Sequence, residues 1–151
     1  MKMVTKVRPA DTLDIRALAG LADKLIPGEA PTSERIRILT RSLRRSDYFL
    51  YVAEAEKRLL GFADLWVFAD FAHGGKMGII QNLFVDRRFR RRGIGDLLMR
   101  RVTRRARELK LKELHVWTPF RNRAAISLYR KHGLTRKSLL LERELWREFE
   151  R

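Results

Sequence analysis

The chain has 151 residues, 45% of them hydrophobic and 34% charged. That size and balance suit one folded domain with a sizeable core and argue against disorder. There is no cysteine, which excludes disulfides, a thiolate nucleophile and Cys-bound zinc, and the scattered His73, His115 and His132 show no metal-ligand spacing, so no metal is expected. Lys plus Arg number 34 against 18 Asp plus Glu, and the resulting charge of +16 attracts nucleotides, nucleic acid and acidic substrates while repelling polycations.

Val4 to Arg8 reads as a short strand ended by Pro9. Asp11 or Thr12 can cap a helix with Leu13, Ala17, Leu18, Leu21 and Leu25 on one stripe, broken by Pro27-Gly28. Thr32-Ser33 can cap a second helix carrying Ile36, Leu39 and Leu43. Asp47 to Ala55 and Leu59 to Ala69 are rich in β-branched and aromatic residues and form a predicted hairpin about Glu56-Lys57-Arg58. A loop with His73-Gly74-Gly75 leads to a central strand from Met77 to Val85. Beyond a glycine turn, Ile94, Leu97, Leu98, Val102, Ala106 and Leu109 recur at helical spacing, with arginines in the remaining positions. Leu111 to Thr118 is a strand stopped by Pro119, and Asn122 to His132 a short helix ended by Gly133. Leu134 to Trp146 alternates late on and reads as one or two strands. The order describes a mixed α/β layer structure, with the strands on either side of the long helix parallel through a right-handed crossover.

Three further features of the chain bear on its setting. No apolar run reaches the ~18 residues of a membrane span. Met1 to Lys6 lacks the apolar stretch of a signal peptide, so a cytoplasmic location is expected. Side-chain amides are nearly absent, which, with abundant ion-pairing residues and no cysteine, suggests a heat-adapted source. The three amides present, Gln81, Asn82 and Asn122, all fall in the two segments that carry the chemistry.

The first segment is Arg90-Arg91-Arg92-Gly93-Ile94-Gly95, which follows an apolar strand and opens an amphipathic helix. Backbone amides converge at such a turn, and glycines let an anion approach them, so it suits a pyrophosphate. Leu98 stands where a dinucleotide fingerprint needs its third glycine, and the Gly-Lys-Ser/Thr ending of a Walker loop is missing. The second segment is Asn122-Arg123-Ala124-Ala125-Ile126-Ser127-Leu128-Tyr129-Arg130-Lys131-His132-Gly133. On a helix, Asn122 and Tyr129 are nearly two turns apart and share a face, separated by about 10 Å.

Val85-Asp86-Arg87-Arg88-Phe89 followed by Arg90-x-x-Gly93-x-Gly95 resembles the acetyl-coenzyme A loop of the GCN5-related N-acetyltransferases, with Arg87 in place of the usual proline. The second segment resembles that family's Asn-x-x-Ala-x-x-Leu-Tyr-x-x-x-Gly-Phe motif, ending here in Gly133-Leu134. The resemblance implies a single N-acetyltransferase domain over residues 1–151, with a mixed central sheet of six or seven strands and about four helices. It implies acetyl-coenzyme A as co-substrate. The pyrophosphate would rest on the turn formed by Arg90, Arg91, Arg92, Gly93, Ile94, Gly95 and Asp96. Leu83, Phe84 and Val85 would pair with the pantetheine amides, Asn122 would contact the cofactor arm, and Tyr129 would protonate the leaving thiolate. The thioester would lie between Leu83–Val85 and Leu114–Trp117, where a backbone N–H near Leu83 could stabilise the oxyanion.

The base is not legible. Relatives place a carboxylate at positions filled here by Gln81, Asn82 or Trp117, none of which can serve; Glu54, Asp64, His115 or a water chain are the substitutes. The acceptor is equally open: a small amine or a protein amino group, in a monomer or homodimer without a membrane. Two other readings stand beside transfer by direct attack in a ternary complex. One is an acyl-coenzyme A binder without catalysis; the other, on the arginine-rich surface, is a basic nucleic-acid-binding module. The segment after Gly133 is short for the family, and either one long strand or a partner subunit would complete the sheet.

Overall fold

The β-branched and aromatic residues on either side of Glu56-Lys57 form the antiparallel hairpin at the centre of the molecule, β2 (Tyr48–Ala55) and β3 (Arg58–Asp70). Both turn residues have positive φ, 50° and 61°, the backbone that matches the twist of a tight hairpin. The computed structural model describes residues 3–149 and adds β1 (Lys6–Pro9), α1 (Ile15–Leu25) and α2 (Thr32–Ser42) before the hairpin. After it come β4 (Gly75–Ile80), β5 (Leu83–Val85), α3 (Ile94–Glu108), β6 (Glu113–Val116) and α4 (Arg123–Lys131). The sheet runs β1-β2-β3-β4-β6, with β5 paired to β3 beyond the end of β4. All pairs are antiparallel except β4 and β6, which the α3 crossover makes parallel as predicted.

Side-chain alternation along β2 divides the core into two. Leu50 and Val52 pack with Phe62, Phe84 and the α1 residues Leu18 and Leu21. Tyr51 and Ala53 face the other way, against Leu65, Ile80, Tyr129 of α4, and Ile94, Leu98, Met99 and Val102 of α3. Of the helix stripe read from the sequence for α3, Ile94, Leu98, Val102 and Ala106 are buried, Leu97 and Leu109 are half-buried, and Met99 joins the buried side. Leu98 is fully enclosed at 0% exposure, so Leu98→Ala should cost roughly 2–5 kcal/mol, measured as a lower denaturation midpoint.

Several expectations need correction. Thr32 is the first residue of α2, whose N-cap is Pro31 with no side-chain capping bond. Asp11 caps a short 3-10 turn, Thr12–Asp14, and α1 starts after it. That offset turns the helix, so Ile15 and Ala19 are buried while Leu13 is 91% exposed and Ala17 also faces solvent. The single central strand from Met77 to Val85 is two strands, broken at Gln81-Asn82. Finally, residues 135–145 form no strand; a 3-10 turn at Trp146–Glu148 follows, and Leu139, Leu141 and Phe149 lie exposed. Alternation there lacks a sheet to bury one face, and a strand without a partner has no ladder to satisfy its backbone. The sheet therefore has six strands among the described residues.

Candidate functional site

The break at Gln81-Asn82 is what opens the sheet. β4 and β6 are in register from Met77↔Glu113 to Ile80↔Val116, and there the pairing stops. Past it, β5 pairs only with β3, in the register Ala63↔Leu83 to Gly61↔Val85. The Asp64 amide donates to the Asn82 carbonyl at 3.0 Å and the Asp86 amide to the Leu60 carbonyl at 2.8 Å. In an antiparallel ladder bonding residues alternate, so Leu83 and Val85 turn their backbone groups away from β3, towards the side β6 has left. One of them is already engaged: Arg90 Nε donates to the Val85 carbonyl at 3.0 Å, with its guanidinium 5.8 Å above the Phe84 ring. The Phe84 side chain is buried against α1.

At the end of β5 the chain reaches the glycine turn. Gly93 is the N-cap of α3 with φ 76°, a left-handed conformation that suits glycine, and no side chain caps this helix. The first helical bond runs from the Leu97 amide to the Gly93 carbonyl at 3.1 Å. The amides of Ile94, Gly95 and Asp96 precede it and are among the orphan donors of a helix start, with Arg90, Arg91 and Arg92 exposed just before them. Gly95 also shapes the packing behind the turn. A Cβ there would lie 3.1 Å from Leu128 Cδ2, so the missing side chain lets α4 close on α3. Asp96 directs its carboxylate to α4, accepting from His132 Nε2 at 2.8 Å and Lys131 Nζ at 2.9 Å, with Arg100 at 3.0 Å. These partners, led by Lys131, hold its pKa below the ordinary carboxylate range. The tie fixes α4, and so Tyr129, relative to the turn.

Asn122 is the N-cap of α4 and accepts from the Ala125 amide at 3.1 Å. Tyr129 is buried, 7% exposed, with its ring among Ile80, Ile94 and Leu98. Its hydroxyl makes no hydrogen bond among the described residues yet is not sealed from solvent. Burial raises the phenol above its usual 10.

The substitutes for a base separate clearly. Glu54 is held by Arg8 at 3.1 Å beside β1. Asp64 is 2% exposed, and donors fill both its oxygens: the Gln81 and Asn82 amides on Oδ1, the Asn82 side chain and the Tyr48 hydroxyl on Oδ2. With four donors already in place it has no lone pair to offer an amine. His115 lies on β6 next to its last paired residue, half-exposed and 2.8 Å from Glu113.

Sequence reasoning missed the work of Asp86. It is 4% exposed, caps the 3-10 turn Arg87–Phe89, and accepts from Lys24 of α1 at 2.7 Å and Arg88 at 3.0 Å, anchoring the loop before the glycine turn. Arg88 and Lys24 depress its pKa. A depressed carboxyl contributes stability that is whole above its unfolded value, about 4, and drains away as pH falls towards the folded one. Asp86→Asn should therefore lower the melting temperature at pH 7 by the equivalent of about 1.5–3 kcal/mol and by far less near pH 2, as thermal melts at the two pH values would show.

Comparison with known proteins bears out the fold. The fold superposes on the aminoglycoside N-acetyltransferase AAC(6')-Iy, solved with CoA, with a TM-score of 0.83 at 20% identity, covering 95% of this chain and 97% of that one. A structure of AAC(6')-Iy with a bisubstrate analogue, CoA-S-monomethyl-acetylneamine, gives 0.82 at 21% identity over 93% and 98%. The uncharacterized N-acetyltransferase YdgE of Bacillus subtilis (strain 168) is 28% identical over 98 residues, 65% of this chain and 61% of that protein, so the chain spans somewhat under two thirds of that relative's length. The model of the acetyltransferase (GNAT) family matches residues 16–134, from the first turn of α1 to just past α4, and the chain belongs to that family.

Proposed function

We propose that this protein transfers the acetyl group of acetyl-coenzyme A to an amine by direct attack in a ternary complex. The observation that carries the reading is the uncapped start of α3 at Gly93, beside the open backbone edge at Leu83 and Val85. A diphosphate accepts the orphan amides of Ile94, Gly95 and Asp96, with Arg90, Arg91 and Arg92 adding positive charge. The pantetheine arm continues along Leu83, Phe84 and Val85 as an added strand, with Asn122 beyond the gap. The amine nitrogen attacks the thioester carbonyl, a C–N bond forms and the C–S bond breaks. The free Leu83 amide is aimed to stabilise the oxyanion, and Tyr129 returns a proton to sulfur. The amine's own proton leaves through water or through His115, since Glu54 and Asp64 are already committed.

The family and the CoA-bound neighbours support the cofactor. The acceptor is a small amine or a protein amino group, and the +16 charge disfavours polycationic ones at low salt. Calorimetry with CoA, followed by thiol release across a panel of amines and peptides, tests the reading. Binding with turnover is expected. Binding without turnover on any amine would leave an acyl-coenzyme A binder in its place, and absence of CoA binding would remove both.

A further inference from the structure

The unusual feature of the open gap is the direction of two consecutive amides. In a continuing strand, neighbouring N–H groups point to opposite sides. Here Gln81 N and Asn82 N both point at one atom, Asp64 Oδ1, at 2.9 and 2.8 Å. Had β4 continued in register, Gln81 and Asn82 would lie opposite Trp117 and Thr118, and part of their backbone would bond β6. Asp64 takes both amides instead. Its second oxygen accepts from Asn82 Nδ2 at 2.9 Å and from the Tyr48 hydroxyl at 3.0 Å, and the Asp64 amide donates to the Asn82 carbonyl. Residue 82 is therefore held at its amide, its carbonyl and its side chain by one residue of β3. Tyr48 is seated in turn by Trp66, ring centroids 4.3 Å apart. The Asp64 carboxylate at the centre of the cluster is 2% exposed, although Gln81 is exposed and Tyr48 and Asn82 are half-buried, so water cannot cheaply take its place on these donors.

We propose that Asp64, supported by Tyr48, is a positioning residue that keeps the sheet open for the cofactor. By capturing the Gln81 and Asn82 amides it prevents β4 from zipping onto β6, and it carries the chain on along β3, one residue out of the β4 register, as β5 with the Leu83 and Val85 amides left free. The proposal rests on the reading that the pantetheine arm lies along that edge. Asp64 contacts neither cofactor nor acceptor; it acts through the backbone of residues 81–85.

Two variants and one exchange measurement test it. Asp64→Leu keeps the branched shape, with somewhat larger methyls in place of the oxygens, and removes the acceptor: the Kd for CoA and the KM for acetyl-CoA should rise at least tenfold, and kcat at saturating cofactor should fall as well, because the Leu83 amide moves with the edge. Asp64→Asn keeps an oxygen for both amides, while a flipped Asn82 side chain and the Tyr48 hydroxyl can accept from the new NH2. It should restore the Kd to within about threefold of the parent. A role in stability alone would lower the melting temperature of the leucine variant and leave its Kd and KM unmoved, and that result overturns the proposal. Should the leucine variant not fold, amide exchange in the unaltered protein decides. Gln81 and Asn82 should exchange slowly with or without CoA, Leu83 and Val85 quickly without it and slowly with it. Fast exchange at Gln81 and Asn82 overturns the clamp itself. Slow exchange there with no CoA effect at Leu83 and Val85 instead overturns the reading of the edge on which the clamp's purpose depends.

Discussion

Tyr129→Phe should lower kcat about a hundredfold while leaving the Kd for CoA nearly unchanged. General acid catalysis is commonly worth roughly 10²- to 10⁴-fold, and the low end applies here because a thiol's pKa of about 8.5 already makes thiolate a tolerable leaving group at neutral pH. The substitution removes only the hydroxyl. The ring remains in its place among Ile80, Ile94 and Leu98, and the hydroxyl has no protein partner among the described residues, so the melting temperature should hardly change. Steady-state thiol release with a reactive acceptor, paired with calorimetry on CoA, separates the two effects. A kcat within twofold of the parent would reject Tyr129 as the acid. The pH dependence offers an independent check. Burial disfavours the phenolate, so the phenol stays protonated above its usual 10. An acid that must be protonated loses activity only as pH rises through its own pKa. Below about pH 10, therefore, the parent should show no alkaline loss of kcat that the phenylalanine variant lacks.

Gly93→Val should weaken CoA binding by roughly 10- to 100-fold. Gly93 has φ 76°, and a β-branched residue there pays about 1–2 kcal/mol or relaxes out of the left-handed region. A Cβ at this position meets nothing within 4 Å, so the damage comes through the backbone and not through a clash. Relaxation re-aims the amides that open α3, and each hydrogen bond lost to a charged phosphate is worth about 1.5–3 kcal/mol, a factor of ten or more in Kd. Gly133 supplies the control. It too has positive φ, 87°, and open space, but it ends α4 instead of opening α3. Gly133→Val should lose similar stability and keep its affinity for CoA. Equal losses of affinity in both variants would show that strain in general, and not the phosphate turn, is responsible.

The structural setting of these two positions was legible in the chain. A glycine pair opening an amphipathic helix, and an Asn and Tyr seven residues apart on another, are local patterns. Helical spacing and turn chemistry need no knowledge of distant residues. The hairpin, most of the buried stripe of α3 and the parallel crossover followed for the same reason. Element edges did not. The capping box formed by Asp11 and Asp14 tightened the first turn into a 3-10 segment and exposed Leu13, because a cap bond competes with helical register over only a few residues.

What the sequence determined by itself, then, was the family of the fold, the glycine turn that opens α3 and the place of Tyr129 on α4, since each is written in residues close together along the chain. What only the tertiary structure decided was the opening of the sheet, the commitment of Asp64 and Glu54 to other partners, and the failure of residues 135–145 to form a strand. Each depends on a group far away in sequence, such as Asp64 for the Gln81 and Asn82 amides, Arg8 for Glu54, or an absent neighbouring strand for the alternating tail. A buried polar group takes the partner that folding brings to it, and spacing along the chain does not name that partner.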